Sequence, residues 1–177
     1  MTTATLRSDV ERLSGLPPEV ASPQSLANLL GYDTASMRAA GHDPGIVAEH
    51  EYFNQAVHRA LGHPELAEYL STLTPREAYS ASGVRLLTLA GIRDEIQRFA
   101  PSAVLFPFGY VPIATSIGGH AVLVSVMDGS VVWADHSVFA PDGIFPIDAD
   151  TFEPVPLSAE SVRRFVHLLA PPLGTFL

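Results

Sequence analysis

Residues 118–136, GGHAVLVSVMDGSVVWADH, limit what this chain can fold into more than any other stretch. Two runs of aliphatic and β-branched residues flank Asp128-Gly129, a pair that tolerates the positive φ angles of a tight hairpin turn. A two-residue loop fixes a register in which Val126 faces Val131, Val124 faces Trp133, Val122 faces Asp135 and His120 faces Ser137. Side chains alternate along a strand. One face of this hairpin, spanning about 120–137, therefore carries His120, Val122, Val124, Val126, Val131, Trp133, Asp135 and Ser137. The other carries Ala121, Leu123, Ser125, Val132, Ala134 and His136. Both faces are largely apolar. The hairpin is expected to be central to the fold, covered on both sides or packed against helices on one.

The same register bears on chemistry. His120 and Asp135 share a face as diagonal neighbours, within reach of one hydrogen bond, while His136 points the other way. A regular hairpin cannot aim all three at one ion or substrate. Two ligands also fall short of the three or four that a zinc site needs. Asp135 is therefore read as structural, orienting His120 or capping the turn.

Elsewhere the polar motifs are incomplete. HEYFN, from His50, begins like the zincin H-E-x-x-H motif but has Asn54 where the second histidine belongs. His50, Asn54 and His58 share a helical stripe, yet imidazoles eight residues apart stand roughly 12 Å apart along the axis, too far for one ion. That stripe is read as a solvated or boundary face. His58 and His63 fall near a helix end, where the dipole favours an imidazolium, and His167 reads as partly buried packing. There is no G-x-S-x-G elbow, P-loop or G-x-G-x-x-G. Asp148 and Asp150 share a strand face but read as solvated rather than as a hydrolytic pair. No catalytic residue, metal ligand or cofactor is assigned.

Along the chain, helical patterns come first and strands follow, which indicates an α+β fold with an antiparallel sheet packed with helices. Short helices are expected around 6–14 and 23–31, the second capped by Ser22, and a longer one over DPGIVAEHEYFNQAVHRALG capped by Asp43. Pro107 and Pro112 interrupt the β-formers of VLFPFGYVPIATSI, so that segment should lie at an edge or contain a bulge. SAESVRRFVHLLA reads as a closing amphipathic helix with Val162, Phe165, Val166 and Leu169 on its apolar face. One domain is expected over 1–177, mostly helical over 1–80, with the sheet and closing helix over 83–170.

Charge narrows the partners. Nineteen acidic residues oppose ten basic ones, all arginine, for a formal charge of −9. That balance argues against a nucleic-acid phosphate backbone as partner, which calls for a positive face. It suits a basic protein such as a nuclease, drawn in by electrostatic steering. Glu65, Glu68, Asp142 and Asp148 are the acidic side chains singled out as contacts for it. The absence of cysteine excludes disulfides and thiolate chemistry. No apolar h-region or membrane-length run is present, so a cytoplasmic protein with no membrane partner is expected.

Residues 83–170 resemble the SUKH superfamily, which includes bacterial immunity proteins and a yeast cell-wall regulator. The resemblance is carried by GVRLLTLAGIRDEI, FPFGYVPIATSIGGHAVLVSV, MDGSVVWADHSV and the final SVRRFVHLL, with LPPEV near the start similar to the family's Leu-Pro element. It implies helices around an antiparallel sheet, no catalytic residues, and binding to another protein, often a toxin to be neutralised. Trp133, Asp135 and His136 would then define the fold through aromatic burial and a satisfied strand end. Two other functions stay open at this point. One is a small hydrolase or metal-dependent enzyme using His120, Asp135 and a third ligand from elsewhere. The other is a regulatory scaffold of the same fold without a toxin partner.

Overall fold

Capping side chains set the helix starts in the computed structural model, which describes residues 3–139, 146, 151 and 153–172. After α1 (Thr3–Ser14), the Ser22 hydroxyl accepts from the Ser25 N–H at the start of α2 (Pro23–Leu30). Asp33 caps α3 (Thr34–Ala39), a short helix in a stretch that reads as turn-rich. Asp43 accepts from the N–H groups of Gly45 and Ile46 to open α4 (Pro44–Gly62). The His63 ring caps α5 (Pro64–Glu68), which continues as a π-helical turn over Tyr69–Leu73. Thr88 opens α6 (Leu89–Arg98), and α7 (Ser102–Leu105) follows a cis Ala100–Pro101 peptide. Each cap satisfies backbone donors that the first helical turn leaves without partners.

Among the described residues, six strands form one antiparallel meander: β1 (Tyr79–Ala81), β2 (Val84–Leu86), β3 (Tyr110–Ser116), β4 (Ala121–Ser125), β5 (Ser130–Ala134) and β6 (Val166–Pro172), hydrogen-bonded in that order. The fold is therefore α+β, with the hairpin of β4 and β5 inside the sheet. Pro112 lies in β3 beside a register shift between Pro112 and Ala114. This bulge accommodates a residue with no N–H to give the ladder.

The hairpin register is displaced by two residues from the one a two-residue turn would impose. Val124 faces Val131, Val122 faces Trp133 and Ala121 faces Ala134. The reason lies in Asp128. Its carboxylate accepts from the Ser130 N–H at 3.1 Å and the Ser130 hydroxyl at 2.7 Å, closing a local turn. Gly129 alone in the loop takes positive φ, at +70°, and its N–H donates to Ser125 O at 2.9 Å. Four residues, 126–129, thus bridge the strands. A slip of two preserves the faces, because side-chain orientation repeats every two residues.

Each face meets its own core. Val122, Val124, Val131 and Trp133 pack with Leu26, Leu30, Val57, Leu66, Leu70, Ile92 and Phe106 beneath the helices. Ala121, Leu123, Val132 and Ala134 pack on the opposite side with Leu105, Phe139, Val162 and Phe165. Each fully buried Val or Leu of this kind contributes about 1.5–3 kcal/mol. Every residue of β4 is buried.

The closing segment departs from the helix expected of it. Ser158 does cap a turn, its hydroxyl accepting from the Ser161 N–H at 3.0 Å. That turn leads into a 3-10 helix over Ser161–Phe165, after which the chain runs as β6 against β5, pairing Val166 with Ala134 and Leu168 with Val132. The reason is that β5 presents backbone donors and acceptors that a strand can satisfy. His167 is consequently exposed on β6 rather than packed in a helix. Among the described residues, no helix is long and apolar enough to cross a membrane.

Candidate functional site

At the open end of the hairpin, one step beyond the Ala121–Ala134 pair, His120 and Asp135 come directly opposite each other. His120 Nδ1 lies 3.0 Å from Asp135 Oδ1. The imidazole also lies against Trp133, with ring centroids 4.8 Å apart and planes tilted by 32°. Asp135 caps the 3-10 turn His136–Val138 by accepting from the Ser137 N–H at 2.8 Å. Hydrogen bonds from Ser137, then the neighbouring His120, hold its carboxyl below the ordinary aspartate range. Both roles read for Asp135, orienting His120 and capping the turn, are present together.

The imidazole is held from several sides. The His136 N–H approaches the same Nδ1 at 3.1 Å. Only one of these bonds forms in a given protonation state of Nδ1, and the charge-assisted contact to the carboxylate is the stronger. The backbone N–H of His120 donates to Ser116 Oγ at 3.1 Å. Gly119, at φ +80°, makes the preceding turn, and a Cβ there would stand 3.4 Å from the His136 ring. That is ordinary contact, so glycine suits this corner for its conformation.

An Asp–His pair orients an imidazole for proton transfer, and nucleophilic catalysis would add a hydroxyl bonded to Nε2. The Ser116 hydroxyl instead accepts from the backbone N–H of His120. Among the described residues, no group of three His, Cys, Asp or Glu side chains could hold a metal ion. His136 is exposed and turns to the other side of the sheet end. There it lines a cleft of about 260 Å³ together with Glu95, Phe99, Ala100, Thr115, Ser116, Ile117 and Gly119. Glu95 is half-buried and accepts from the Ser102 hydroxyl at 3.0 Å. Burial pushes its carboxyl above the usual glutamate range, partly offset by Ser102 and by Arg85.

Comparison of the chain with protein-family models, with curated proteins and with solved structures finds no match.

The other singled-out residues lie elsewhere. Glu65 is exposed, and its Oε2 would stand 3.4 Å from a Cβ on Gly129, which places it at the hairpin tip. Glu68 is half-buried at the end of α5, and its carbonyl accepts from Ser71 and Thr72 hydroxyls. Asp142 and Asp148 lie outside the described residues. His63 ends α4 and also caps α5, its Nδ1 accepting from the Leu66 N–H at 3.3 Å.

Asn54 has a role that its helical spacing did not reveal. Its amide accepts from Tyr32 N at 2.8 Å and donates to Tyr32 O at 2.9 Å, so α4 clamps the chain between α2 and α3. Gly31 permits that approach, since a Cβ there would fall 2.7 Å from Asn54 Oδ1. Beside the clamp, Gln24, Asn28, Asp33 and His58 help line a cleft of about 520 Å³. The only local signal was an asparagine at a helical position with half-buried neighbours.

Proposed function

We propose that this chain is a non-enzymatic protein-binding module of the SUKH type, an immunity-type protein that masks a basic toxin partner in the cytoplasm. The observation that carries this reading is the end of the sheet at the turn between β3 and β4. Ile117 is 93% exposed and Phe99 52% exposed there. Large apolar side chains gathered at open clefts are a common mark of a protein contact. The net charge of −9 adds long-range attraction for a basic partner. The engagement of Asp135 by both Ser137 and His120 supports a structural role for the hairpin mouth.

The test is affinity capture from the native host with the tagged full chain, alongside Ile117→Asp, followed by mass spectrometry and elemental analysis. A stoichiometric basic partner with toxin-like domains, lost with Ile117→Asp, is the expected result. A partner without such domains would replace the immunity reading with the regulatory scaffold. No partner together with stoichiometric bound metal would overturn protein binding in favour of an enzyme at His120.

A further inference from the structure

We propose that the cleft beside the C-terminal end of α6 receives an arginine side chain of the protein partner, with Glu95 meeting the guanidinium and Phe99 supplying the ring it lies against. This rests on the protein-binding reading above and names the chemistry that the surface recognises.

The geometry comes from three segments. Glu95 lies in the last turn of α6 and Phe99 is the extended residue that ends it, and both line the same cleft. Ile117, projecting from the turn after β3, forms the facing wall, and Ala100, Thr115, Ser116, Gly119 and His136 complete the lining. The cleft thus presents one carboxylate with an aromatic and an aliphatic side chain beside it, and Thr115, Ser116 and the His136 imidazole among its polar lining.

The carboxylate is fixed but makes no direct ion pair. Ser102, itself fully buried, donates its hydroxyl to Oε2 at 3.0 Å and so holds the group in place. Among the described residues, no arginine or histidine nitrogen lies within 4.0 Å of Glu95; the nearby Arg98 pairs with Asp94 instead. Arg85 acts on Glu95 favourably and Asp94 unfavourably, and burial still disfavours the ionised form. A partly desolvated carboxylate without a cation is costly, and an arriving cation removes that cost.

Guanidinium fits these walls better than ammonium. It is planar and weakly hydrated, stacks on an aromatic face and offers paired donors to a carboxylate. Phe99 and Glu95 supply those two surfaces. The acidic balance of the chain provides the matching charge at longer range.

The test is an NMR titration of the full-length protein with Nα-acetyl-arginine N-methylamide. The citrulline analogue, of the same length but uncharged, is the control. Saturable shifts at the Phe99, Ile117 and Gly119 amides are expected, with citrulline binding about tenfold more weakly or less. Glu95→Gln keeps the shape and can still accept from Ser102, and it should abolish the preference for arginine. Phe99→Leu should weaken both ligands several-fold and retain the preference. Equal binding of arginine and citrulline, or a wild-type titration by Glu95→Gln, would overturn the pocket. Those results would leave the broader reading standing if the wild-type chain still captured its partner and Ile117→Asp did not.

Discussion

Both ends of the β4–β5 hairpin carry the same local device, Asp-x-Ser, and put it to different uses. At the tip, Asp128 accepts from Ser130; at the mouth, Asp135 accepts from Ser137. In both, the side chain closes a turn over two residues, a habit of aspartate that needs no distant help. The neighbours differ. The tip lies beneath His63 and Glu65, which close over Gly129, whereas the mouth brings His120 across the hairpin onto Asp135. A three-residue pattern therefore specifies the turn, and the opposing strand decides whether that turn also orients an imidazole.

The largest effect should come from the strand joining the two ends. Leu123→Ala removes a fully buried side chain from the core on the far face and should cost about 2–5 kcal/mol. Urea unfolding followed at both ends should show one transition; two separate transitions would mean that tip and mouth are independent units.

Next come the turn glycines, Gly129 at φ +70° and Gly119 at φ +80°. Alanine in the left-handed region costs roughly 1–2 kcal/mol at either position. A Cβ at Gly129 would also press on His63 at 3.3 Å. Gly129→Ala should therefore shift the urea midpoint further than Gly119→Ala. The reverse order would show that the tip is not anchored under α5.

A smaller contrast involves the aspartates. Asp135→Ala and Asp128→Ala each remove a turn-closing acceptor, worth about 0.5–2 kcal/mol, with Asp135 expected to cost more because it also holds His120. Hydrogen bonding depresses both native carboxyls, from Ser137 at Asp135 and Ser130 at Asp128. Their stabilisation is thus present above the unfolded pKa and is lost as the pH falls through the lower native one. Wild type and variants should differ by a constant amount near neutrality and converge below about pH 4. A gap that stayed constant into strong acid would sever the link to the carboxylates.

The smallest effect belongs to the His120–Asp135 pair itself. Its side chains are 28% and 39% exposed, so solvent screens the attraction. A double-mutant cycle should return about 0.2–1 kcal/mol of coupling, decreasing with added salt. Coupling of several kcal/mol would mark the mouth as a buried, tightly built site unlike the tip.

Much of the fold was legible because its signals are local. Ser22 and Asp43 cap helices within a few residues of themselves, and Pro112 announced its bulge. Alternation sorted Val122, Val124 and Trp133 from Ala121, Leu123 and Ala134 correctly even though the loop was two residues longer than expected. Of the candidate site, the meeting of His120 with Asp135 and the opposite heading of His136 followed from the same alternation. The Glu95 cleft did not, because its walls come from α6 and from the turn after β3, and no spacing in the sequence joins them.

The sequence alone determined which side chains share a face and where the capped helices begin, since both depend on backbone periodicity and on bonds spanning a few residues. The tertiary structure decided the rest. It made residues 166–172 a strand, because β5 offered backbone partners that an amphipathic helix could not have satisfied. It turned Asn54 into a clamp on Tyr32, and among the described residues it left the half-buried Glu95 without a direct ion pair. In each case the deciding partner lies far along the chain, beyond the reach of any local pattern.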